Sequence, residues 1–236
     1  MWRLLVICLL CGVTAHVFAA TPFTEGYAEA LVSGLVGTAT TVQWKAGLHE
    51  GNTDVYLLGK YSYDNTQGTN LPFQYSTQGF SIGVGARQWL IPQCLSLTAS
   101  AGRILTGPNK SEDDLRLGLV YGTYQRAGMR QRDWYGEAFW IGLSDDVVVT
   151  LRLRDGLLLE EDEDKRLWVY ALVEPHISGS GDNGVDNRVD AGMGMGLAFL
   201  KHRVAINAEL RGGFSYRGAI TDRRYLDPRV VVSTNF

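Results

Sequence analysis

From about residue 42 onward the chain alternates apolar and polar residues with a period of two. Val42, Trp44, Ala46 and Leu48 share one face, and Gln43, Lys45 and Gly47 the other. The same pattern recurs at Val55–Tyr63, Phe80–Arg87, Leu95–Ala101, Leu115–Gly122, Val147–Arg154, Val189–Phe199 and Val204–Arg211. Successive side chains of a strand point to opposite faces, so each run predicts a strand with one apolar and one polar side. Tyr27 to Val36, rich in small residues and holding two glycines, reads as the first strand rather than a helix.

Turn residues punctuate these runs: Asp64-Asn65, Gly107-Pro108-Asn109, Ser144-Asp145-Asp146, the segment Gly179–Gly184, and Lys201-His202. The runs number about twelve, each roughly ten residues long, the length a tilted strand needs to cross a bilayer. The predicted fold class is all-β, an antiparallel transmembrane β-barrel. A soluble β-sandwich also alternates, but rarely with strands so long and uniform. Aromatic residues near strand ends (Tyr61, Tyr63, Tyr121, Trp134, Trp140, Trp168 and Phe199) are expected to form two interfacial girdles. Trp44, Trp134, Trp140, Met193 and Phe199 are expected to face lipid.

The N-terminus sets the compartment. Arg3 precedes an apolar run from Leu4 to Val13, and Val17-Phe18-Ala19 offers a cleavage site before Ala20. Residues 1–19 therefore read as a signal peptide and 20–236 as a single outer-membrane barrel domain, located in the cell outer membrane. Cys8 and Cys11 lie inside the apolar run without a small residue before them, which excludes lipid attachment. Only Cys94 remains after cleavage, so no intramolecular disulfide forms.

Composition agrees. The chain has 28 Gly in 236 residues, nearly twice the average share of about 7%. Its formal charge is -3, and no basic patch points to nucleic acid. Mean hydropathy is close to zero, as expected where lipid-facing and lumen-facing residues cancel.

Charged residues within the strands should point away from lipid, where each would cost a few kcal/mol near the midplane. The expected lumen-lining set is Lys45, Arg87, Arg103, Arg116, Glu137, Arg152, Arg154, Glu174, His176, Asp190, Glu209 and Arg211. Mixed signs can pair into a plug or line a polar conduit. Glu174, His176 and Ser178 share one face, as an acid-base pair or a wall hydrogen-bond network. His49 and His202 fall in expected turns. No Gly-x-Ser-x-Gly elbow and no His/Cys cluster with metal spacing occurs, so the reading is no enzyme, no metal and no cofactor. The acidic run Leu159–Lys165 reads as a solvated loop that joins an even strand to an odd one. It implies either an unusual periplasmic loop or a strand count wrong by one.

The middle of the chain, residues 80 to 200, resembles the C-terminal domain of the phage N-four adsorption protein A family. The resemblance rests on Gly83-Val-Gly-Ala-Arg87 with Leu95-Ser-Leu97, Asp113-Asp-Leu-Arg-Leu117, Trp134-Tyr-Gly-Glu-Ala138, Tyr170-Ala-Leu-Val-Glu-Pro-His176 and Asp190-Ala-Gly-Met-Gly-Met-Gly196. It implies an outer-membrane barrel that acts as conduit or accessory pore in exopolysaccharide secretion; some related barrels serve in phage adsorption, which here goes with the structural-barrel alternative. The alternatives are a structural barrel or adhesin, a general porin, or an outer-membrane hydrolase. The implied partners are outer-membrane lipid, the barrel-assembly machinery, polysaccharide and a separate periplasmic scaffold protein. In such barrels the final aromatic, here Phe236, is the insertion signal. Deleting Phe236 should slow membrane insertion and leave secretion intact, read as the heat-modifiable fraction recovered in outer membranes. Insertion at the normal rate and yield would refute the assignment.

Overall fold

A computed structural model describes residues 20–33, 37–64, 79–107, 110–142, 145–179, 187–201, 203–217 and 224–235. The expected signal peptide, Phe236 and His202 lie outside them. Twelve strands are present: β1 Thr21–Ser33, β2 Gly37–Glu50, β3 Thr53–Asp64, β4 Gly79–Ile91, β5 Leu95–Ile104 and β6 Asp113–Ala127 form the first half. The second half is β7 Arg130–Ile141, β8 Asp146–Glu161, β9 Arg166–Ser178, β10 Asn187–Phe199, β11 Val204–Arg217 and β12 Arg224–Asn235. Each strand pairs antiparallel with its sequence neighbours, and β1 pairs with β12 to close the barrel. The closing seam runs from Tyr27 opposite Asn235 to Ser33 opposite Arg229.

The outer face is apolar. Leu57, Val84, Leu119, Leu151, Val173, Met193 and Val232 are exposed, all at the positions that alternate with lumen residues. So much exposed apolar surface on a closed barrel belongs in lipid. The protein is an outer-membrane β-barrel. Trp44, Trp134, Trp140, Met193 and Phe199 all face outward, as expected. Trp168 does not. It lies on the inner face of β9, with the Arg166 guanidinium 5.6 Å from its ring centre. Its place in the alternation, shared with Tyr170 and Leu172, outweighs its closeness to a strand end.

The connections differ at the two ends of the barrel. Residues 51–52, 92–94, 128–129 and 162–165 turn the chain at the end where β1 begins and β12 finishes. At the opposite end successive strands are set further apart along the chain: β3 ends at Asp64 and β4 begins at Gly79, and β9 ends at Ser178 and β10 begins at Asn187. Short turns mark the periplasmic side of such barrels. Gly51 and Gly128 adopt left-handed backbone (φ 58° and 61°), which lets two-residue turns close at both sites.

The acidic run is neither a long loop nor a sign of a miscounted strand. Leu159, Glu160 and Glu161 finish β8, and only Asp162–Lys165 turn. The Asp162 side chain accepts the backbone N–H groups of Asp164 (2.8 Å) and Lys165 (2.7 Å), and this pins the turn. The turn sits at the periplasmic end. β8 is the longest strand, 16 residues, so the acidic charge is strand overhang beyond the bilayer.

The glycines have a packing role. On the lumen face the rings of Tyr56, Phe139, Trp168, Tyr170 and Tyr225 lie over Gly85, Gly118, Gly196, Gly194 and Gly213, each directly across on the neighbouring strand. A Cβ at any of these glycines would come within 2.1–2.7 Å of ring atoms. Outside, Trp44 covers Gly59 in the same way. The ring shields the bare backbone of the glycine, and the glycine gives the ring a flat seat.

Among the described residues, apolar clusters inside form two small groups. Leu31 of β1 packs on Ala39 of β2 and Val231 of β12, across the closing seam. Ile141 and Val148 pack with Phe139. Elsewhere in the lumen single apolar side chains such as Leu58, Val120 and Leu172 stand among polar and charged ones.

A charge placed at mid-strand on the outer face tests the lipid orientation. Met193→Arg, at a site 69% exposed, should cost about 2–4 kcal/mol in a phospholipid bilayer. Denaturant unfolding from vesicles measures it. A cost near zero would mean that β10 does not face hydrocarbon there.

Candidate functional site

The lumen-facing strand positions bring charges together because the register is fixed. On β9–β12, His176 sits opposite Arg188, Glu174 opposite Asp190, Arg211 opposite Asp227, and Glu209 opposite Arg229. Two of these pairs, Arg211 with Asp227 and Glu209 with Arg229, join a base to an acid, and His176 with Arg188 brings two basic side chains together. Glu174 with Asp190 sets like charges face to face, which is unfavourable by itself. Arg211 resolves it. Its guanidinium reaches Glu174 at 3.1 Å, Asp190 at 3.6 Å and Glu209 at 2.6 Å. Arg188 and Arg229 also approach Asp190, at 3.5 and 3.4 Å. Arg229 pairs with Asp227, which accepts the Ser33 hydroxyl at 2.7 Å from across the seam. Tyr225 donates to Asp190, and Tyr170 donates to Glu209 at 2.6 Å. Arg154 of β8 closes on Glu209 at 3.1 Å. Asp190 and Asp227 are fully buried. This wall is a cross-linked ion lattice.

Charge is also paired at the periplasmic end of β1–β4. Asp54 accepts from Arg87 (2.5 Å), His49 (2.5 Å) and the Trp89 indole (3.2 Å). Arg87 forks onto Glu25 at 2.6 and 3.3 Å, and Lys45 approaches Glu25 at 3.7 Å. His49, expected in a turn, is instead the penultimate residue of β2 and part of this network. Arg116 is held by Asp114 at 2.7 and 3.0 Å. Tyr135 donates to Glu137 at 2.5 Å, and the Arg152 guanidinium stands 5.3 Å from the Tyr135 ring centre.

Eleven of the twelve expected lumen residues face inward. Arg103 does not. It lies on the outer face of β5 at the loop end, opposite Ile82 and Asp113. At the rim a guanidinium reaches headgroups and water, so the cost that drives charges inward near the midplane nearly vanishes. Sequence reasoning missed Asp54, Lys60, Asp114, Arg188, Asp227 and Arg229, and the tyrosines Tyr27, Tyr56, Tyr135 and Tyr170. The period-two signal covers them all. Lys60 shares its face with Tyr56 and Leu58, which made that face look apolar. Arg229 and Asp227 share a strand with the valines that drew attention to the other side.

His176 is almost completely buried. Its Nε2 is 2.9 Å from a Glu174 oxygen, and its Nδ1 is 3.4 Å from the Thr150 hydroxyl. Ser178 turns away and donates to Asp146 at 2.5 Å. The imidazole therefore has a carboxylate to orient it, while the Ser178 hydroxyl is engaged by Asp146. Ligand atoms of Glu174, His176 and Asp190 lie within 4.8 Å of one another. A cation there would compete with Arg188, Arg211 and Arg229, which already neutralise both carboxylates.

Between the walls lies a cavity of about 470 Å³. Its lining includes Tyr27, Tyr56, Tyr135, Thr41, Ser100, Lys60, Glu137 and Arg152.

No protein-family model matches the chain, and no curated protein matches it. Among solved structures it is similar to the β-domain of the Bordetella autotransporter BrkA (14% identity, TM-score 0.42, covering 92% of this chain and 100% of that one). It is also similar to an outer membrane channel from Pseudomonas putida F1 (13%, 0.41, 94% and 97%). A third is a bacterial polysaccharide outer membrane secretin (8%, 0.41, 91% and 98%). The barrel fold alone does not decide between catalysis and passage.

The lattice predicts its own weak point. Arg211→Met leaves Glu174 without an arginine partner and should destabilise by about 3–5 kcal/mol, since a buried carboxylate loses its counter-charge. Adding Glu174→Leu should recover part of the loss. Arg103→Met at the rim should shift stability by less than about 1 kcal/mol. Equal losses for Arg211→Met and Arg103→Met in bilayer unfolding would refute the lattice.

Proposed function

We propose that this barrel is a conduit or accessory pore for surface polysaccharide, rather than an enzyme. The observation that carries the reading is the lumen cavity, where tyrosines, hydroxyls and a carboxylate face a common space. Saccharides present hydroxyls that donate and accept, and ring faces that pack on aromatics, so a lining of this kind suits them. The resemblance of residues 80 to 200 to the phage N-four adsorption protein A family forms part of the same proposal. So does a separate periplasmic scaffold as partner at the turn end. Against catalysis stands the Ser178 hydroxyl, which donates to Asp146.

A structural barrel is the second reading, and the β9–β12 lattice favours it. Ion-paired charge fills that side of the lumen and would do so in a plug. Planar-bilayer recording of the purified mature chain separates the two. A conduit should conduct, and its current should fall when a long oligosaccharide is added. Glu137, which has no ion pair among the described residues, supplies the variant: Glu137→Gln should change ion selectivity at unchanged stability. Absence of conductance in the wild type would leave the structural barrel.

A further inference from the structure

The two walls of the cavity differ in a way that points to a bound ligand. On β9–β12 the charged groups are met by ion-pair partners, although Arg166 Nε and Arg211 Nη1 make no hydrogen bond. On β2–β5 several polar groups have neither among the described residues. Lys60 is 94% buried by its 6% exposure, lines the cavity, and makes no hydrogen bond or ion pair among the described residues. The Thr41 hydroxyl is buried and has no hydrogen-bond partner either. Gln43 and Ser100 also line the cavity with no side-chain hydrogen bond among the described residues. The register makes this a group. Lys60 sits opposite Gln43, and Thr41 is one rung further along the same lumen face, opposite Ser62. Diagonal neighbours of this kind are within reach of one ligand.

A buried ammonium without a counter-charge is costly, and so is a buried hydroxyl without a partner. Native proteins keep such groups where something else satisfies them. The charged groups that act on Lys60 are Arg116, Asp114 and Glu137. Arg116 and Asp114 neutralise each other through their two short hydrogen bonds. Glu137 takes the Tyr135 hydroxyl and forms no ion pair with Lys60 among the described residues. The wall thus offers an ammonium, a hydroxyl and an amide on one side, and a carboxylate on the other.

We propose that Lys60, Thr41 and Gln43 form a subsite for an oxyanion group, a carboxylate or phosphate, carried by a small lumenal ligand. The oxyanion takes the ammonium and the hydroxyl, and Glu137 accepts hydroxyls from the rest of the ligand. An acidic sugar fits both halves; a free inorganic anion fits the first alone. The subsite deepens the conduit reading by naming a substrate class, yet it needs only an accessible cavity and no transport.

Equilibrium titration of the mature chain in detergent micelles tests it, with glucuronate, glucose and inorganic phosphate as probes. Glucuronate should bind, glucose should bind at least about tenfold more weakly, and Lys60→Met should lose about tenfold in glucuronate affinity, as expected for one charge-assisted hydrogen bond. Thr41→Val, nearly isosteric, should weaken binding by a smaller factor and serves if Lys60→Met does not fold. With ligand absent, Lys60→Met should melt no earlier than the wild type, because an unpaired buried charge is removed. Phosphate binding with the same dependence on Lys60 would identify the oxyanion alone as the determinant. Glucuronate binding without phosphate binding would identify the acidic sugar. The proposal falls if the wild type binds neither probe, if glucose binds as well as glucuronate, or if the folded variants bind like the wild type. Because binding is read without passage, a barrel that binds but does not conduct would sink the conduit and leave the subsite.

Discussion

Inside a bilayer no water is available to the backbone, so every N–H and C=O in the hydrocarbon region must find a partner in the protein. That constraint is met here by one event, the pairing of β1 with β12 from Tyr27–Asn235 to Ser33–Arg229. Without it both strands would present open edges to lipid. The only inner apolar group that spans the seam, among the described residues, is Leu31 with Ala39 and Val231, packed across β12, β1 and β2 where closure is decided. Once the ring is closed, every alternate side chain is committed to lipid or lumen, and the charge arrangement follows from register alone.

The lumen then divides by how its charges are matched. On β9–β12 Arg211 faces Asp227 and Arg229 faces Glu209, and Arg211 reconciles the acidic pair Glu174 and Asp190. Such a lattice need not add stability over an apolar filling, but losing any member is expensive, so it holds the wall in one arrangement. The β2–β5 wall has no such lattice around Lys60. One side of the lumen is set, and the other is left with bonding capacity.

The fold was legible because its determinant is periodic: twelve runs, their faces and the outward tryptophans Trp44, Trp134 and Trp140 all follow from period two. The failures are positional. Nearness to a strand end predicts the interface for Trp168, but parity puts it inside. Charge predicts an inward Arg103, but its height at the rim removes the reason for turning inward. Composition predicts a loop for the acidic run, but the length of β8 carries its first half as strand. In the lumen, membership was readable but partnership was not. That Arg211 would bridge Glu174 and Asp190, or that Lys60 would stand alone, depends on which rungs meet across strands far apart in sequence.

The rings seated on glycines carry a consequence for how this sequence can diverge. Tyr170 over Gly194 and Trp168 over Gly196 are each a single object written at two distant positions. A side chain larger than hydrogen at the glycine collides with the ring, and a small residue in place of the ring leaves the glycine backbone bare. Neither half can drift alone without loss. Descendants of this chain should therefore keep or exchange both members together, and coupled change at such positions would reveal strand register even where overall identity has faded.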